Sequence, residues 1–195
     1  MKPTIAITIG DFNGIGPEVA VKSINKKEIL AFCNPILIAD AEVLDLLKIR
    51  LDKRIKILKR YNKVKINAGR PTILSGKASL DYINCGINLI ENRHADCLVT
   101  APISKTAIAK AGSKFKGHTD LLQKHFKVDT VLMSFFSKDI NVAVSTAHIP
   151  LKNVVKKLNA NLLLNHLIIL DKALKNYFGI KNPKIALAAI NPHAS

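Results

Sequence analysis

The sequence has no tryptophan, and aromatic residues make up only 5% of it. A core must then be built mainly from Ile, Leu, Val and Ala, and a stacking platform for nucleobases has little to form it. Cysteine is scarce too. Cys33, Cys85 and Cys97 stand apart with no C-x-x-C pair. An odd, unpaired set argues against a disulfide framework, and the N-terminus offers no secretory leader. Three buried thiols in a reducing cytoplasm are expected. Acidic residues are few, 14 Asp+Glu against 30 Lys+Arg, which leaves a formal charge of +16. That excess is mostly lysine and is scattered, as in "SINKKEIL", "LDKRIKILKR" and "NVVKKLN". No RNP, KH, helix-turn-helix or zinc-finger pattern accompanies it, so nucleic acid is not the expected partner. A solvated lysine surface is, and it would attract small anions. Long apolar runs are missing as well. "LLLNHLIIL" carries Asn165 and His166 and is too short to span a bilayer. "MKPTIAITIGDFNG" has one lysine and an apolar stretch cut by Asp11, which reads as a first strand and not a signal peptide. Repeats, low-complexity tracts and Gly/Ser linkers are absent.

What is present is a chain of 195 residues, 48% of them apolar, enough for one substantial core or two small ones. β-rich runs alternate with helical patterns. Strands are predicted at 3–10, 34–40, 95–102, 130–136, 140–147 and 183–190, with one or two more in the lysine-rich 53–67. The runs 130–136 and 140–147 flank "SKD" as a hairpin pair. Helices are predicted over 13–24, 41–48, 78–93, 104–112 and 117–126, and as two segments of 149–179 broken near Asn159-Ala160. Pro17 and Glu18 suit a first helical turn. Ser104 and Gly112 suit a helix cap and stop. Several strands are continuously apolar. The pattern predicts an α/β protein with a largely parallel sheet covered by helices on both faces.

Four stretches have the residue types for chemistry. In "GDFNGIGPE" (10–18), Gly14 and Gly16 follow a strand and precede a helix. The dinucleotide fingerprint G-x-G-x-x-G fails at Val19, although Asp40 stands within ribose range. A tight turn needing glycine is the alternative. In "VTAPISKTAI" (99–108), Ser104, Lys105 and Thr106 lie at a helix start that could hold an anion or merely be capped by Ser104. In "FKGHTDLL" (115–122), His118 and Thr119 could bind a carboxylate or phosphate, or Thr119 could serve as an N-cap. "VSTAHIPL" (144–151) and "AINPHAS" (189–195) each hand a strand over to a loop bearing histidine. His148 and His193, at matching strand ends, could converge on a divalent metal. His125 and His166 fall inside helical patterns, and His94 in a loop.

Taken together, these stretches resemble the 4-hydroxythreonine-4-phosphate dehydrogenase family of pyridoxal phosphate biosynthesis. "GDFNGIGPE" stands where the family has GDPAGIGPE. "VTAPISK", "GHTDLL", "STAHIPL" and "NPHAS" follow in the family's order over the whole chain. Phe12-Asn13 replaces Pro-Ala, and Ser195 replaces Gly. The resemblance implies an α/β fold like that of isocitrate and isopropylmalate dehydrogenases, two-domain and homodimeric, with an internal boundary near 105–130. It implies that His118 and Thr119 contact a phosphorylated hydroxy-amino-acid substrate, and that His148 and His193 bind a divalent ion (Zn, Mg or Co). His118 is the one candidate for the catalytic base. The implied reaction is NAD- or NADP-dependent oxidation of 4-phosphooxy-L-threonine at C3 with decarboxylation, the metal polarising the C3 oxygen. A relative acting on threonate or erythronate 4-phosphate, or an inactive remnant, fits the same motifs. The family continues past N-P-H-A with a C-terminal portion holding a third histidine ligand and the phosphate-binding lysine, asparagine and arginine. The chain is therefore expected to be an incomplete, truncated N-terminal part, cytoplasmic and without a membrane or nucleic-acid partner.

Overall fold

β1 (Thr4–Thr8) and β2 (Asn34–Asp40) are the apolar runs TIAIT and NPILIAD, and they pair in parallel with Ala6 opposite Ile36. Every residue of β2 after Asn34 is buried, so both faces of that strand are covered. The computed structural model describes residues 2–48 and 50–191. β3 (Lys56–Arg60) pairs with the far side of β2, and β4 (Cys97–Thr100) with the far side of β1. All four strands are parallel, in the order β3-β2-β1-β4. The helices of this part are α1 (Gly16–Ile24), α2 (Lys27–Phe32), α3 (Ala41–Leu46), α4 (Ile73–Glu91) and α5 (Lys105–Lys110).

α4 begins five residues before the predicted 78. Thr72 accepts from Ser75 N at 3.1 Å, and Thr72 N donates to Ser75 Oγ at 3.4 Å, a reciprocal cap that starts the helix. Its first buried residues are Ser75, Gly76, Ala78 and Ser79, too small to appear in a period of large apolar residues. Small residues there permit close packing: a methyl group on Gly76 would lie 2.1 Å from Ala107 O of α5, and one on Gly86 2.5 Å from Leu98 Cδ1 of β4. Leu37, Ile38, Tyr82, Ile83 and Ile87 are sealed from solvent between sheet and helices. Each such aliphatic side chain contributes about 1.5–3 kcal/mol on burial.

Residues 1–121 and 122–195 form two compact units, with α6 (His118–His125) running across the division. In the second unit, β5 (Met133–Phe135) and β6 (Val142–Val144) pair antiparallel as the predicted hairpin. Ser137 closes its turn, accepting from Ile140 N at 3.0 Å. α7 (Leu151–Lys157) and α8 (Ala160–Asn176) follow, and Asn159 Oδ1 caps α8 by accepting from Leu162 N at 2.9 Å.

Three expectations are corrected. The run 95–102 is not a buried strand: β4 is an edge strand, Val99 is 48% exposed and Cys97 lies open. Only Cys33 of the three thiols is buried, with Cys85 intermediate. Alternate residues of β4 point to opposite faces of the sheet, and the face that Cys97 and Val99 share is the more open one. Within 183–190, no described residue joins a ladder, and Leu187 and Ile190 are 59% and 66% exposed. Composition favours a strand there, but a strand needs a neighbour to accept its backbone hydrogen bonds.

Candidate functional site

The carboxyl ends of β1 and β4 meet through their loops. Asp11 N donates to Pro102 O at 2.9 Å. Gly10 has φ +71°, and a methyl group there would strike Pro102 O at 2.2 Å. One on Gly16 would lie 2.3 Å from Ile9 O. These glycines serve a tight turn and close approach, not a dinucleotide cradle. Asp40 has no oxygen free for a ribose. It accepts from the Tyr82 hydroxyl, from Asn62 N at 2.7 Å and from Asn62 Nδ2 at 3.1 Å. Burial, then the hydrogen bond to Asp40, pushes the Tyr82 hydroxyl well above its ordinary range. Asp81 completes the cluster, held below the usual carboxylate range by its Arg60 hydrogen bonds at 2.7 and 2.8 Å.

The two departures in the opening motif have structural roles. Phe12 is buried in the core. Asn13 ties down a distant loop: Nδ2 donates to Arg70 O at 3.0 Å and Thr72 Oγ1 at 3.2 Å, and Oδ1 accepts from Asn67 N at 2.7 Å. Its own N–H is held by Asp11 Oδ1 at 2.8 Å. Nothing in the local sequence announces this clamp, because its partners lie 54 to 59 residues away.

α6 opens directly on His118, so Thr119 is its second residue and not its N-cap. His118 is half-buried, its Nε2 is sealed from solvent with no hydrogen-bond partner, and burial lowers its pKa below the ordinary histidine value. Thr119 is exposed. Asp120, in the first turn, accepts from Lys116 N at 3.1 Å. Ser104 caps α5 by accepting from Ala107 N at 3.2 Å. A methyl group on Gly117 would lie 3.8 Å from Lys105 Cε, which sets that lysine against the residue preceding His118.

His118 and Thr119 thus stand together at the start of α6 in the first unit. His148 belongs to the second unit, exposed, four residues past β6 and with φ +55°. His193 lies outside the described residues. His166 is buried on α8 with Nδ1 unpartnered, beside an apolar groove of about 440 Å³ between α8, the hairpin and residues 183–187. Among the described residues no group of three or more His, Cys, Asp or Glu is placed to hold a metal.

Comparison with known proteins decides the family. The model of "Pyridoxal phosphate biosynthetic protein PdxA" matches residues 20–195. The chain belongs to the PdxA family. A PdxA-family relative in Desulforapulum autotrophicum, named 4-hydroxythreonine-4-phosphate dehydrogenase, is 35% identical over 98% of this chain and 62% of its own length. One of the same name in Sulfurimonas denitrificans is 34% identical over 99% of this chain and 61% of its own length. The chain therefore spans a little over three fifths of the curated PdxA relatives it matches. The crystal structure of a 4-hydroxythreonine-4-phosphate dehydrogenase from Burkholderia phymatum superposes with a TM-score of 0.83 at 28% identity, covering 100% of this chain and 64% of that one. The enzyme of the same name from Klebsiella pneumoniae gives 0.88 at 24% identity, a likeness of fold. Parallel sheet and covering helices are thus those of the PdxA enzymes.

Proposed function

We propose that this chain carries the substrate-binding part of a PdxA-type dehydrogenase that oxidises 4-phosphooxy-L-threonine at C3. The observation that supports this reading is the family match over residues 20–195, with His118 and Thr119 within it. NAD or NADP, when bound, would supply the hydride acceptor for C3, and the resulting β-keto acid would be set to lose CO2. His118 is the candidate to receive the hydroxyl proton. Burial favours its neutral form, and its Nε2 has no partner within the described protein. Thr119, exposed beside it, offers a hydroxyl to the substrate.

The divalent ion, with His148 and His193 as ligands, enters this reading through the resemblance alone. The described residues do not make up a metal site: His148 is a single imidazole, and a stable site needs three or four ligands. No step is derived through the ion. A homodimer in the cytoplasm completes the proposal, and no described helix is long and apolar enough to cross a membrane.

A second reading is favoured by a relative from Halalkalibacterium halodurans, 29% identical and provisionally named a D-threonate 4-phosphate dehydrogenase. Calorimetric titration of the chain with each compound separates the two, with NADH formation as a second readout. Binding of 4-phosphooxy-L-threonine tighter by about tenfold than D-threonate 4-phosphate is expected, the margin that a hydrogen-bonded amino group supplies. The reverse order moves the assignment to threonate, and binding of neither compound defeats both readings.

A further inference from the structure

We infer that residues 61–67 form a docking edge for strand addition, and that the partner it fits is an extended acidic peptide segment. No helix, strand or turn is formed over 61–67. Burial there nevertheless alternates. Asn62, Val64 and Ile66 are half-buried, while Tyr61, Lys63, Lys65 and Asn67 are exposed. A period of two is that of an extended chain. Val64 and Ile66 pack against the core of the first unit, and both ends of the segment are pinned. Asn62 N donates to Asp40 Oδ1, at the end of β2, at 2.7 Å. Asn67 N donates to Asn13 Oδ1, in the loop after β1, at 2.7 Å. Between the pins lie Lys63, Val64, Lys65 and Ile66. Among the described residues, neither the N–H nor the C=O of any of these four has a hydrogen-bond partner.

The outward side chains decide what can pair there. Exposed lysines are common in this chain, and charge alone marks nothing. What sets Lys63 and Lys65 apart is their place two residues apart on a pinned backbone with open pairing groups. Like charges facing each other destabilise a strand pair, so these lysines guard the edge against a second copy of itself. The same two charges favour a strand with Glu or Asp at alternate positions. Tyr61 is 92% exposed, with no hydrogen bond or ring contact among the described residues. It adds nothing to the core and offers apolar area beside the cations, as tyrosine does at recognition surfaces. Pinning matters as well, because a pre-ordered edge loses little entropy on binding. Main-chain pairing would supply affinity, and the lysines and Tyr61 would supply specificity.

The test is an amide NMR titration of the chain with a capped heptapeptide of alternating valine and glutamate. Its lysine counterpart, the same peptide N-methylated at its central amides, and oligo-dT serve as comparisons. The glutamate peptide should shift the amides of Lys63, Val64, Lys65 and Ile66. The lysine and N-methylated peptides should not. The double variant Lys63→Glu, Lys65→Glu should weaken binding of the glutamate peptide about tenfold and gain binding of the lysine peptide, as cross-strand charge pairs change sign. Reversing Lys156 and Lys157 on α7 to Glu should leave both unchanged. Lys63 and Lys65 are exposed, so an unchanged spectrum outside the segment verifies folding. Equal binding of the N-methylated peptide reduces the effect to attraction by a basic surface and overturns the inference. So does a double variant that binds like wild type, or shifts that bypass residues 61–67. Oligo-dT shifting the same amides more strongly than the glutamate peptide gives the surface to nucleic acid instead. Shifts at 61–67 on raising protein concentration alone give it to a second copy of the chain, and either result overturns the assignment.

Discussion

At the scale of the residue, His118 shows how burial sets chemistry. Its pKa is lowered because desolvation penalises the imidazolium. In the unfolded chain the same side chain titrates near the ordinary value of 6.5. Between the two values the unfolded state binds more protons, so stability rises with pH through that window. The His118 contribution is favourable above 6.5 and is lost as pH falls through the lower, folded value. Urea unfolding of wild type and His118→Asn across this range should show a steeper acid loss in wild type. Parallel curves would mean that His118 is solvated like a free histidine. His118 was legible in the sequence as a candidate because "GHTD" sets it at a helix start. Its unpartnered Nε2 was not, since burial is a property of what packs around it. Asn13 marks the opposite limit: a motif departure visible in the sequence, with a role visible only in space.

At the scale of the element, α4 is the informative case. Large apolar residues fixed its existence but placed its start five residues late. The true start depends on the Thr72–Ser75 cap and on Gly76, whose Cα faces the Ala107 carbonyl of α5. Gly76→Ala should force these helices apart and cost about 1–3 kcal/mol by chemical denaturation, the usual range for overpacking. Gly69→Ala, with open space at its Cβ position but φ +74°, separates backbone strain from packing. If Gly76→Ala costs no more than a few tenths of a kcal/mol, α5 does not pack as described. The short helix α7 is the contrary case. It has no buried residue, and only its local pattern made it predictable.

At the scale of the whole molecule, the two units differ in how their strands are satisfied. In the first unit β1 and β2 are paired on both sides within the four-stranded parallel sheet. In the second, a two-strand hairpin stands without further pairing among the described residues, and 183–190 joins no ladder. Amide exchange should report this difference. The amides of Ile7 and Leu37 should exchange only through global unfolding, and those of Ile185–Leu187 at close to open-chain rates. Equal protection in both places would show that 183–190 is hydrogen-bonded as a strand after all.

The sequence by itself determined the family, through short motifs in order, and the alternation of strands and helices, through apolar periodicity. Those signals are local, so they survive without knowledge of the fold. The tertiary structure alone decided that Asp40 is bound to Tyr82 and Asn62 and not open to a ribose, that β4 is an edge, and that Lys105 stands beside Gly117. Each of these depends on segments far apart in the chain meeting in space. Pairing, burial and charge compensation exist only once they do.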